Sequence, residues 1–268
     1  MVAEELFKVE LDGHVAWLVM NRPDKRNAMG MSFYSGLREH MQRFNRDHNI
    51  RAVVIKAAGP SFTAGTDLAE SGQLIGDGGA DSREKLRRTI AALQADITSI
   101  ETCSKPVIAA IHGHCIGGGV DLIAACDIRL ATQDAIFSIR ETRLGIIADV
   151  GTLQRLPYII GHGWFRELAL TGRDFSAEEA LQMGLVTRVC KDRDVLYAAA
   201  REMARQIAAC PPLTVQGTKE VILYSRDNGV FPGLAYVAQK NAAALPSEDL
   251  MEAVSALMTK QEPVFKGK

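Results

Sequence analysis

The chain has 268 residues, 47% of them apolar and 24% charged, and 31 basic side chains against 32 acidic ones leave a net charge of −1. That balance excludes a global basic field for nucleic acid or an anionic membrane, so an anionic ligand has to be met locally. Five cysteines, outside any C-x-x-C pair, read as reduced thiols, and the long apolar region 107–126 is interrupted by His112, His114, Asp121 and four glycines, which rules it out as a membrane span.

In chain order, Phe7, Val9 and Leu11 alternate with polar residues, Asp12-Gly13 follows, and Val15, Trp17 and Val19 alternate again, which predicts a hairpin. Met31 to Asp47 predicts an amphipathic helix, and AVVIKA (52–57) a short buried strand ended by Gly59-Pro60. SGQLIGDGGAD (71–81) reads as a glycine-rich loop. From Ser82, Leu86, Ile90, Leu93, Ile97 and Ile100 recur at helical spacing, with Asp81 and Glu84 as a capping box. VIAAI (107–111), DIRLAT and AIFSI predict further strands. Beyond Ser176, where Ser176 and Glu179 form a second capping box, only helical patterns are expected. The division is a mixed core over 1–200 and a helical region over 201–268.

CIGGGVDLI (115–123) sets three glycines and an aspartate between a buried strand and a buried helix. A carboxylate away from water is costly unless it is paired, hydrogen-bonded or used. The glycines let backbone pass close to a ligand, and the helix aims its free N–H groups at the same spot. A phosphate cradle, a donor pair for an oxyanion and plain tight packing all fit, although no complete phosphate-loop or dinucleotide pattern is present. SFTAGTDLAE (61–70) repeats the arrangement after another buried strand, so each loop can offer one N–H to a shared oxygen.

FTAGTDL and GHCIGGGVDL, in this order and separation, with RPDKRNAM (22–29), KPVIAAIHG (105–113) and GTLQRLP (151–157), make the chain resemble the crotonase (enoyl-CoA hydratase/isomerase) superfamily from residue 7 to residue 260. The resemblance implies an α/β spiral of repeated ββα units in two sheets, with a C-terminal helical region that assembles a homotrimer or a dimer of trimers. It implies an acyl-CoA thioester substrate and no metal or prosthetic group, CoA arriving with the substrate. The oxyanion-hole amides fall to Thr66 and Gly118. Lys25, Arg26, Ala28, Ala64, Gly65, Asp67, Leu68 and Gly117 fall to the CoA and substrate path, and Lys260 to CoA phosphates across a subunit contact.

Family hydratases grip a water between two glutamates, one directly after the glycine turn and one twenty residues on. Here those positions hold Asp121 and Glu141, and a third carboxylate, Asp149, stands in ADVGTLQRL where hydratases carry a glycine. The set resembles the dienoyl-CoA isomerase branch. Two separated acid/base groups suit moving two conjugated double bonds, Glu141 taking the C2 proton and Asp149 protonating C6. Asp121 would raise the pKa of Glu141 as a neighbouring carboxylate. The alternatives are a 2-enoyl-CoA hydratase, with Asp149 as a helix cap, and a non-catalytic acyl-CoA-binding protein. Taken alone, Asp121 reads as a helix-start cap, and His112 and His114 as structural residues. With neither an S-K-L ending nor a transit-type leader, the expected location is cytoplasmic.

Overall fold

The computed structural model describes residues 6–71 and 78–268. Its strands are β1 (Phe7–Asp12), β2 (Val15–Met20), β3 (Ala52–Ala57), β4 (Val107–Ile111), β5 (His114–Ile116), β6 (Ile128–Thr132), β7 (Ile136–Ser138), β8 (Asp174–Ser176) and β9 (Arg188–Cys190). The first sheet runs β1-β2-β3-β4-β6-β9 and the second β5-β7-β8. In the first, only β1 and β2 pair antiparallel; the remaining pairs are parallel. The helices are α1 (Met31–Arg46), α2 (Leu68–Ser71), α3 (Ala80–Thr102), α4 (Gly118–Ala125), α5 (Thr152–Arg155), α6 (Pro157–Thr171, broken at Gly161), α7 (Ala177–Gln182), α8 (Arg193–Ala208), α9 (Pro212–Asn228), α10 (Val230–Ala244) and α11 (Glu248–Thr259).

The near-continuous apolar runs VAWLVM, AVVIKA and VIAAI are what a parallel sheet covered on both faces requires, and all three strands are buried almost throughout. Alternation along each strand divides them between two cores. Trp17, Val54, Ile108 and Leu130 face Leu196, Ala200, Ala204 and Ala208, an i, i+4 stripe of α8 whose small side chains bring the helix close. Ala16, Leu18, Val53, Ile55 and Ala109 face the other way, into a core shared with Leu37 and Met41 of α1 and Ile97 and Ile100 of α3. Residues 200 and 201 both lie within α8. Beyond it, α9 is tied to the core by Lys219, whose Nζ meets Asp127 at 2.7 Å and the carbonyls of Ile100 and Lys105.

Several expectations are corrected in detail. The hairpin forms, but its two-residue loop is Gly13-His14, with Asp12 already paired to Val15. The helix expected from Ser82 starts at Ala80, and the Asp81–Glu84 capping box does not form, because the Glu84 carboxylate is taken by Arg87 and Arg88 at 2.8 and 2.9 Å. The Ser176–Glu179 box does form. Strands do not give out after Ser176, since β9 adds a parallel edge beside β6. Of the glycine-rich loop read over 71–81, residues 72–77 lie outside the described residues.

Candidate active site

Two loops meet at one point. After β3, residues 58–67 run back across β5, where Thr63 bridges Cys115 and Thr66 bridges Met29. Gly65 makes this approach possible: at φ +94°, a Cβ there would lie 2.7 Å from the carbonyl oxygen of Ile116 and 3.7 Å from the Gly118 nitrogen. Gly117, at φ +53°, turns β5 into α4, and a Cβ on it would lie 3.2 Å from Oε1 of Glu141. Gly118 is the first residue of α4, so its N–H has no partner within the helix. Among the described residues, neither the Thr66 nor the Gly118 N–H donates to a backbone carbonyl outside the regular elements. The glycine turn is therefore an amide pair open to an oxygen atom.

Three carboxylates gather beside it. Asp121 is buried in the first turn of α4, and its Oδ1 accepts a 2.6 Å hydrogen bond from the Thr152 amide. It thus caps a helix, as one reading of the sequence had it, but the helix is α5, thirty-one residues on, and not its own. Burial lifts its pKa to about 6, against the lowering by Thr152, and Asp149 adds to the rise. α5 is held in turn by Arg155, which pairs with buried Glu101 of α3 at 3.1 Å.

Glu141 sits on a single 3-10 turn, Arg140–Leu144. Its Oε2 is buried with no hydrogen-bond partner among the described residues, an arrangement that costs free energy unless the atom is used. Burial first, then the charges of Asp121 and Asp149, push its pKa up to about 7. Asp149 is half-buried and raised by desolvation. It does not cap the following helix: the residue before α5 is Gly151, and the carboxylate that meets the first amide of that helix is that of Asp121. Its backbone carbonyl is instead anchored by Gln94 of α3 at 2.7 Å. Two carboxyl groups of raised pKa beside an open amide pair can take up and give back protons next to a carbonyl whose oxygen becomes negative.

The residues expected on a nucleotide path lie along one edge of this group. Lys25, Arg26, Ala64 and Leu68 are exposed and Ala28 is half-buried. The Ala64 amide donates to Arg26 O at 2.9 Å, which joins the two segments, while Asp67 is engaged by Arg22 at 3.3 Å. Among the described residues, Lys260 makes no hydrogen bond or ion pair to any of them; it ends α11 as an exposed left-handed residue. His112 is buried and structural, its Nε2 3.0 Å from Gly59 O.

Sequence reasoning passed over Asn27 and Tyr34. Asn27 is buried, its side-chain amide donates to Ala58 O at 2.8 Å and Ser61 O at 2.9 Å, and its main-chain carbonyl accepts from Thr63 Oγ1. It lies inside RPDKRNAM, where its Oδ1 accepts from the Arg22 amide at 2.8 Å, but the bonds that tie it to the second loop reach partners more than thirty residues away, which the local pattern does not show. Asn27→Ala strands two carbonyls and costs about 2 kcal/mol, to be read as a lower melting temperature with the Ala64 loop losing hydrogen-exchange protection first.

An open amide pair flanked by carboxyl groups of raised pKa defines an enzyme that moves protons next to a carbonyl. The chain matches the enoyl-CoA hydratase/isomerase family over residues 10–268 and belongs to it. The mitochondrial Δ3,5-Δ2,4-dienoyl-CoA isomerase of Rattus norvegicus is 47% identical over 254 residues, 93% of this chain and 78% of that one. The peroxisomal Δ3,5-Δ2,4-dienoyl-CoA isomerase of Arabidopsis thaliana is 45% identical over 266 residues, 97% of this chain and 96% of that one. The solved enoyl-CoA hydratase of Bacillus anthracis superposes with a TM-score of 0.90 at 33% identity, covering 98% of this chain and 100% of that one. These comparisons overturn the cytoplasmic expectation, since the isomerases it is similar to are mitochondrial or peroxisomal.

Proposed function

We propose that this enzyme converts 3,5-dienoyl-CoA to 2,4-dienoyl-CoA. The observation that carries the reading is Asp149, a half-buried carboxyl of raised pKa beside Glu141 that makes no helix cap. Adding water across one double bond needs no third carboxyl group, whereas moving a diene needs a proton source several atoms from the base. Asp121 supports the same choice, because its Oδ1 is committed to Thr152 N and is withdrawn from gripping a water with Glu141.

In this reaction ionised Glu141 removes a proton from C2, and the electron pair spreads through a dienolate. The amides of Thr66 and Gly118 hold the developing oxyanion. Protonated Asp149 delivers its proton to C6 as the electrons return, leaving double bonds at C2–C3 and C4–C5. Solvent then moves the proton from Glu141 back to Asp149. No electrons leave the substrate, so the chemistry calls for no cofactor. Lys25 and Arg26 meet the anionic CoA nucleotide, Ala28, Ala64, Gly65, Asp67, Leu68 and Gly117 border its path, and Lys260 reaches CoA from a second subunit. A homotrimer, or a dimer of such trimers, is the accompanying assembly, supported by the exposed apolar side chains of Phe231, Leu257 and Met258 on α10 and α11.

The test is a side-by-side ultraviolet assay on a 3,5-dienoyl-CoA and a 2-enoyl-CoA of equal length; hydration without dienoyl turnover would reject the reading. The pH profile adds a second check. The Glu141–Asp149 pair works with one proton between them, so kcat/KM is bell-shaped, falling above about pH 7 as the last proton leaves the pair. Because Asp121 is one of the charges that raise Glu141, Asp121→Asn moves that alkaline limb toward lower pH. An unmoved limb would mean that Asp121 acts only on α5.

A further inference from the structure

We infer that Tyr34 is a positioning residue of the oxyanion hole, acting through the Thr66 hydroxyl to set the two amides against each other. This rests on the isomerase reading above.

Tyr34, on the first turn of α1, is completely buried. A phenolic O–H in that setting needs an acceptor, and its oxygen lies 2.8 Å from Oγ1 of Thr66. Desolvation, together with the nearby charges of Asp121, Glu141 and Asp149, keeps the phenol protonated throughout the working range. It therefore stays a neutral hydroxyl that is able to donate. With Tyr34 donating to Thr66, the Thr66 hydroxyl is fixed in one rotamer, and the backbone carrying its amide is held from both sides: Met29 N donates to Gly65 O and Asp67 N to Met29 O, each at 2.9 Å.

The same two hydroxyls, together with the Met29 methyl, border the other half of the hole. A Cβ on Gly118 would lie 2.7 Å from Thr66 Oγ1 and 2.9 Å from the Tyr34 oxygen. The pair thus packs directly on the Cα of the residue that supplies the second amide. One hydroxyl pair is bonded to the first donor residue and is a spacer for the second. Donors preorganised for a developing charge lose effect when their spacing relaxes, and the loss falls on the transition state more than on substrate binding.

The experiment compares wild type with Tyr34→Phe, Thr66→Val and the double variant. Steady-state turnover of a 3,5-dienoyl-CoA gives kcat and KM, and the ultraviolet band of bound 2,4-dienoyl-CoA reports polarisation of its thioester carbonyl. Each single change is expected to lower kcat about tenfold with KM within about twofold. Both lessen the red shift of the bound product, leave the pH limbs in place, and are no worse when combined, because one interaction is lost in all three. Additive losses, a band shift equal to that of wild type, or a displaced alkaline limb would overturn the inference; the last would mean that Tyr34 acts on the carboxylates. Should Tyr34→Phe fail to fold, Thr66→Val, which keeps the β-branched shape at a half-buried site, carries the band-shift test alone. A wild-type protein that neither binds nor turns over the dienoyl esters overturns the isomerase reading and this inference with it, whereas normal wild-type behaviour with unaltered variants overturns this inference only.

Discussion

Glu141→Gln lowers turnover of a 3,5-dienoyl-CoA by about 10²- to 10⁴-fold, the usual worth of a positioned general base, and at the same time raises the melting temperature at pH 8. The two effects share a cause. Burial holds the Glu141 proton up to about pH 7, whereas in the unfolded chain it leaves near the ordinary value of 4.5. Between those values the folded state binds more protons than the unfolded one, so stability falls as pH rises through the window and stays lower above it. Glutamine has nothing to ionise, so its advantage over wild type is absent at pH 4 and full at pH 8. Melting curves at the two pH values, alongside the ultraviolet assay, decide the matter. Turnover within tenfold of wild type would remove Glu141 from the chemistry, and a melting difference independent of pH would mean that its charge is not buried in the free enzyme.

How much of this the sequence disclosed depends on the range of each interaction. The buried strands, the Ser176–Glu179 box and the glycine turn after β5 are local, and their patterns were legible. The spacing of Asp121 and Glu141 also carried their association, because only the rest of one short helix and two short strands connect them. What a carboxylate does in the fold was less legible. Asp121 answers to an amide thirty-one residues away, and no periodicity announces that Thr152 will arrive there. The Asp81–Glu84 box failed for the opposite reason: two arginines one turn further along the same helix compete for Glu84 and win with charge-assisted bonds. Strand β9 was missed since three residues, Arg-Val-Cys, are too few to show a period. Tyr34 left no trace, as an aromatic residue on the apolar face of α1 is indistinguishable from ordinary core until Thr66 is found opposite its hydroxyl.

Asp149→Asn separates the two proton transfers. The amide cannot deliver a proton to C6, so isomerisation falls by about 10²- to 10⁴-fold, while Glu141 and the amides of Thr66 and Gly118 still form the dienolate. In deuterated water, recovered 3,5-dienoyl-CoA therefore gains deuterium at C2 although little 2,4-dienoyl-CoA appears, an outcome that mass spectrometry of the substrate pool reads directly. Stability discriminates this role from that of a helix cap. Losing a capping carboxylate costs about 1 kcal/mol, yet Asp149 makes no side-chain bond to the start of α5, and its contact with Gln94 runs through the backbone carbonyl, which asparagine retains. The melting temperature should accordingly hold or rise, since the burial that lifts the aspartate's pKa is a cost the neutral amide does not bear. Loss of exchange together with isomerisation would place Asp149 upstream of the C2 step, as a group that conditions Glu141, and the C6 proton would then have to come from elsewhere.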